Sequence, residues 1–123
     1  MTPIRRFEDL KVWQKAHELV LLVYKLTAKF PAEEKYGLSS QKRRAAVSVA
    51  SNIVEGFKRR TVKDSLNFYN TADASLEELR YQSLVARDLG YILEIEYEQL
   101  IKLEEEVSKM LYSWIKSQKS NST

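Results

Sequence analysis

Few residues of this chain could do chemistry. Its 123 residues include one histidine, His17, and no cysteine, so there is neither a thiolate nucleophile nor a disulfide framework. A di-metal carboxylate centre in a helical bundle needs Glu-x-x-His on two helices. The residue three before His17 is Gln14, and no second histidine exists, so His17 is read as a core or interface residue. Ser39-x-x-Lys42 and Ser113-x-x-Lys116 share a spacing with penicillin-recognising enzymes, but that fold needs further motifs absent here. No glycine-rich phosphate loop occurs, and a single histidine on an apolar stripe leaves no serine triad legible. No enzyme activity, metal or cofactor is expected.

Two basic triplets remain, Lys42-Arg43-Arg44 and Lys58-Arg59-Arg60, at opposite ends of one segment. Repeated basic runs are the electrostatic footprint of anion or nucleic-acid contact, or they are solvated helix faces. Between them lies SNIVEG, residues 51–56. Asn52 and Glu55 fall on a polar stripe with Arg44, Ser48 and Arg59 at spacings of three and four, and Gly56 follows them. Glu55 precedes Arg59 by four residues, the favoured order for a helical ion pair. Asn52, Glu55 and Gly56 therefore read as a structural motif or an interface. The charge is unevenly divided. Residues 1–60 carry 13 Lys/Arg against 6 Asp/Glu, and residues 61–123 carry 7 against 11. A basic half and an acidic half imply self-association, an electropositive face or pairing between helices.

The elements that must position these groups are helices. Apolar residues make up 44% and charged residues 30%, with three Gly and two Pro, which suits a few long helices rather than many short strands. The first helix is expected from about Asp9, as N-cap, to Lys29. Leu10, Trp13, His17, Val20 and Tyr24 form one stripe beside Val12, Ala16, Leu19, Val23 and Leu26, together a wide inner face. The second runs from Ser39 or Ser40 to about Phe57, with Ala46, Val49, Ala50, Ile53 and Phe57 inward. The third starts at a capping sequence near Thr61 and ends before Gly90, which suits the left-handed position after a helix. Its inner residues are Leu66, Tyr69, Ala72, Leu76, Leu79, Ser83 and Ala86. The fourth spans about Glu94 to Lys116, with Leu100, Leu103, Val107, Met110, Leu111 and Trp114 inward and a polar tail beyond. Four such helices with short connections predict an all-α, up-down-up-down four-helix bundle in one domain, 1–123, with its core at about 7–117.

The opening MTPIRRFEDL lacks the apolar stretch of a secretion signal, and LVLLV, residues 19–23, is far too short to span a membrane. A cytoplasmic protein is expected, so the sequon Asn121-Ser122-Thr123 carries no glycan.

Taken in order, FEDLKVWQKA (7–16), Phe30-Pro31, YGLSSQKRRAAVSVASNIVEG (36–56), SLEELRYQ (75–82) and LGY (89–91) resemble the four-helix bundle proteins encoded in intervening sequences of bacterial 23S ribosomal RNA genes. The family's recurring Arg-Arg and Ser-Asn-x-x-Glu-Gly positions match Arg43, Arg44, Ser51, Asn52, Glu55 and Gly56. The resemblance implies a barrel-like homopentamer and brings no biochemical activity with it. A related branch, the accessory variability proteins of diversity-generating retroelements, is similar in fold, and there a basic surface engages a reverse transcriptase and nucleic acid. The expectation is thus a non-enzymatic oligomer that binds RNA or DNA through Lys42, Arg43, Arg44, Lys58, Arg59 and Arg60. The alternative is a structural bundle whose charge asymmetry serves self-assembly alone.

Overall fold

Each periodic segment becomes a helix in the computed structural model, which describes residues 3–121; Ser122 and Thr123 of the sequon lie outside the described residues. Helix α1 is Lys11–Thr27, α2 is Leu38–Lys58, α3 is Val62–Asp88 and α4 is Glu94–Ser120, with short 3-10 turns at Phe7–Asp9 and Ala32–Glu34. Neighbours pack in a closed order, α1 on α2, α2 on α3, α3 on α4 and α4 on α1. Cross-helix partners run in opposite directions along the chain: Lys42 meets Ser83 while Ser48 meets Ser75, and Lys15 pairs with Glu106 while Lys29 pairs with Glu96. Arg43, near the start of α2, bonds Thr27 at the end of α1, so the bundle is up-down-up-down. We call the end holding the α1–α2 and α3–α4 connections the upper end. The lower end holds the α2–α3 connection and both chain termini.

Local chemistry sets the helix ends. Asp9 does not cap α1. It sits in the 3-10 turn, where its amide bonds Arg6 O at 3.0 Å, and Leu10 occupies the N-cap position. That turn is held by Phe7 packed edge-on to Trp13, 4.9 Å between centroids, and by Gln14 Nε2 donating to Glu8 O at 2.8 Å. Helix α2 begins one residue earlier than expected because Glu34 Oε1 accepts the Leu38 amide at 3.1 Å. Thr61 Oγ1 accepts the Asp64 amide at 3.1 Å and caps α3, a contact that stabilises a helix by about 1 kcal/mol. At the other end of α3, Gly90 takes φ +75°, and Gly90 and Tyr91 donate back to Arg87 O and Ala86 O. Only glycine adopts that backbone cheaply. Helix α4 runs on to Ser120, four residues beyond the expected end, so most of the polar tail is helical.

The core gathers Val12, Ala16, Leu19, Val23 and Leu26 of α1 with Ala46, Val49, Ile53, Tyr69, Leu76, Leu79, Leu100, Val107 and Leu111. The other expected stripe of α1 divides. Leu10 and Val20 are buried and Trp13 half-buried, but His17 and Tyr24 are exposed. At 100° per residue those two lie too far round the helix from the Ala16–Val23 line to reach the interior. His17 instead stacks on Trp13, 5.0 Å between ring centroids with planes 9° apart.

Candidate functional site

The upper basic triplet is the first place where side chains depart from the expected surface. Lys42 is 0% exposed and cannot reach a phosphate in this fold, so it leaves the candidate set. Helical spacing explains the burial: Lys42 precedes Ala46 by four residues and Val49 by seven, on the same inward line. Its Nζ donates to Ser83 Oγ at 2.5 Å and lies 3.4 Å from Leu79 O. Ser83 Oγ lies 2.6 Å from Glu104 Oε2 and 3.1 Å from Leu79 O. The hydroxyl has one proton, and the carboxylate is the nearer and stronger acceptor. A chain of hydrogen bonds therefore crosses the bundle from α2 through α3 to α4. Glu104 is 1% exposed. Burial disfavours both charged forms, pushing Lys42 down to about 8 and Glu104 up to about 7, while their mutual attraction acts the other way on each.

Arg43 is half-buried. Its Nε donates to Thr27 Oγ1 at 2.8 Å and its guanidinium lies over the Tyr24 ring, 4.7 Å from the centroid. Arg44 is exposed and pairs with Glu78 of α3 at 3.3 Å.

The lower triplet is at the surface throughout. Arg59 is engaged, paired to Glu55 and laid over the Phe68 ring at 4.5 Å. Lys58 and Arg60 make no ion pair among the described residues. Topology brings further cations to this end: Lys63 from the start of α3, Lys116 from the last turns of α4, and Arg5 from the N-terminal segment. Ile4 and Leu10 of that segment border the same cleft as Trp114 and Ser117 of α4, which fixes the segment beside the end of α4. The two triplets stay at opposite ends of α2, so they do not form one patch. Periodicity along single segments could not join Arg5, Lys63 and Lys116 to Lys58 and Arg60, because the grouping is tertiary.

The SNIVEG motif meets α3 at Gly56, and its Asn52 supports Ser48, which bridges to α3. Asn52 Nδ2 donates to Ser48 O at 2.8 Å and Ser48 Oγ at 3.0 Å, and Ser48 Oγ meets Ser75 Oγ at 2.8 Å across the helix pair. Gly56 is buried against Tyr69, and a Cβ there would fall 2.4 Å from Tyr69 Cε1. Tyr69, 1% exposed, fills the space that the missing side chain leaves.

Two opposite faces differ in kind. The outer face between α1 and α2 presents Leu21, Tyr24 and Val47, which are 56%, 43% and 39% exposed, beside His17 and Arg43. Leu21 follows His17 by four residues and precedes Tyr24 by three; Val47 follows Arg43 by four. Glu18, three before Leu21, and Glu55, eight after Val47, flank the patch, and each is paired with a cation of its own helix, Lys15 and Arg59. The outer face between α3 and α4 holds a groove of about 420 Å³ whose lining includes Glu77, Arg80, Tyr81, Tyr97, Ile101 and Glu105. Arg80 pairs with Glu77 at 3.1 Å. Among the described residues no three His, Cys, Asp or Glu side chains gather to hold a metal, and no helix is long and apolar enough to cross a membrane.

The profile of the 23S rRNA-intervening sequence protein family matches residues 8–113. The chain belongs to that family. A solved structure described as a protein of unknown function from the S23 ribosomal protein family of Bacteroides thetaiotaomicron is 27% identical, with a TM-score of 0.79 over 85% of this chain and 95% of the other. No curated protein matches the sequence. For this intervening-sequence protein, the match covers α1 to α3, α4 as far as Ser113, and both basic triplets.

Proposed function

We propose that this intervening-sequence protein is a non-enzymatic, self-assembling bundle that binds nucleic acid through its lower end. The observation that carries the proposal is the gathering of Arg5, Lys58, Arg60, Lys63 and Lys116 there, all exposed and without ion pairs among the described residues. One such end is a small phosphate site. A cyclic oligomer, five copies by the family resemblance, repeats it around a ring, so weak contacts act together. No base-reading motif accompanies the cations, so binding is to backbone phosphate and tolerant of sequence.

The test is the affinity for mixed-sequence RNA and DNA as salt is varied. Affinity should fall with a log–log slope of about −0.9 per phosphate neutralised on duplex DNA and about −0.7 on single strands. Lys58→Ala with Arg60→Ala should weaken binding and flatten the slope, and Arg44→Ala should leave both unchanged. Absence of binding at about 50 mM salt would reject the nucleic-acid role. A second reading, assembly alone, is favoured by the exposed apolar residues Leu21, Tyr24 and Val47 between α1 and α2, because such a face is costly to leave in water. Light scattering on the eluting protein decides between assembly and a monomer near 14.4 kDa.

A further inference from the structure

The two unlike faces lie on opposite sides of the bundle, and the Lys42 layer ties their heights together. Lys42 reaches Ser83 and Glu104 directly across the interior. Arg43, its neighbour in the chain, therefore stands on the α1/α2 face at the height at which Glu77, Tyr81 and Glu105 line the α3/α4 groove. Tyr24, under the Arg43 guanidinium, shares that height.

We propose that a second copy of this chain is the occupant of the groove: the Tyr24–Arg43 edge of one copy seats between Tyr81 and Glu105 of the next, with bundle axes aligned. The inference rests on the self-assembly part of the function proposed above and names the surfaces that carry it. Charge complementarity argues for it. The donor face presents Arg43, and the carboxylates that flank it, Glu18 and Glu55, are paired within their own helices; in the groove Glu77 is paired with Arg80 and Glu104 is buried, which leaves Glu105 as the exposed carboxylate without an ion pair among the described residues. Apolar complementarity agrees. Leu21 and Val47 on one face would cover the Tyr81 ring, which is 66% exposed, on the other. Because the two surfaces differ, the contact is heterologous, and repeating it generates a ring when the rotation closes. The guanidinium already sits on an aromatic ring within its own copy. In the groove it would gain the Glu105 carboxylate, the planar pairing that arginine makes better than lysine.

The chain has no cysteine, so introduced thiols report without background. A Tyr24→Cys/Tyr81→Cys variant carries its thiols on opposite sides of one bundle, too far apart to bridge within a copy. On mild oxidation it should give a ladder of covalent multimers. An equal mixture of the two single variants should stop at dimers containing one of each, and neither single variant should cross-link alone. Arg43→Glu and Glu105→Arg should each raise the concentration needed for assembly at least tenfold, and combining them in one chain should restore it, with helix content unchanged throughout. An assembled wild type whose double-cysteine variant gives no ladder would overturn this interface while leaving assembly standing. So would Tyr24→Cys cross-linking to itself. A wild-type monomer in light scattering would reject the assembly reading as well.

Discussion

Lys42-Arg43-Arg44 and Lys58-Arg59-Arg60 are nearly the same word written twice on one helix, and they end in different surroundings. The first triplet is dismantled: one cation is in the core, one is pinned to Thr27 and Tyr24, and one is paired across to α3. The second stays in water, and two of its three charges are free of ion pairs. The difference is one of phase. Lys42 lies on the line of Ala46 and Val49, whereas the lower triplet starts after Phe57, where the helix leaves the bundle. A charge run therefore describes a surface only after its angular position is known.

The sharpest way to break the comparison is to delete the first cation of each triplet. Lys42→Ala should cost about 3–5 kcal/mol of folding free energy, because it leaves Glu104 buried without its counter-charge. Lys58→Ala should stay within about 0.5 kcal/mol. Urea denaturation of both variants measures this, and equal effects would show that the two lysines share one environment after all.

A Lys42→Met/Glu104→Leu pair should regain most of that loss and could exceed the wild type by about 1–4 kcal/mol, because neither charge then needs desolvation. Its pH profile sharpens the point. Glu104 is raised from 4.5 to about 7, so between those values the native state keeps a proton that the unfolded state has lost, and stability falls as pH rises. Lys42 is lowered from 10.5 to about 8, so between those values the unfolded state holds the extra proton, and stability rises with pH. The pair thus imposes a minimum between about pH 7 and 8. Subtracting the double variant's curve from the wild type's should expose it, and a flat difference would reject the buried pair.

A smaller effect tests what anchors the lower end. Gly56→Ala gains about 1 kcal/mol of helix propensity but pushes a methyl into the Tyr69 ring, an overpacking cost of about 1–3 kcal/mol. A net loss of about 1 kcal/mol is expected in thermal melts, and a stabilised variant would mean that the ring yields freely. Smallest of all, Arg44→Ala and Arg59→Ala should each cost less than about 1 kcal/mol, because exposed pairs contribute little. Their double-mutant cycles with Glu78 and Glu55 give the coupling directly.

Much of the fold was legible in the chain. Four periodic segments, the Thr61 cap and the Gly90 stop correspond to elements of the structure within a few residues, because each is encoded locally. What escaped was tertiary. The turn that displaces Asp9 depends on Phe7 meeting Trp13, and the start of α2 depends on Glu34 reaching forward. Lys42 and Glu104 were visible as charges at inward spacings: Glu104 follows Leu100 by four and precedes Val107 by three. Side-chain type hid them, since lysine and glutamate are almost never fully buried unless paired, and the partner on another helix cannot be read from one segment. The placing of Arg5, Lys63 and Lys116 at the same end of the bundle as Lys58 and Arg60 was hidden for the same reason.

The buried lysine also decides how α2 may slide. The inner side of α2 is rich in small residues, with Ala45, Ala46, Ala50 and Gly56 all buried, and a smooth surface of that kind would tolerate a shift of one turn along α3. Such a slip moves α2 by about 5.4 Å. It would carry the Lys42 ammonium away from Ser83 and Glu104 and leave both charges stranded in hydrocarbon. One costly polar layer therefore makes the helix pair fit in a single register, giving an alanine-lined seam the uniqueness that its own shape does not supply.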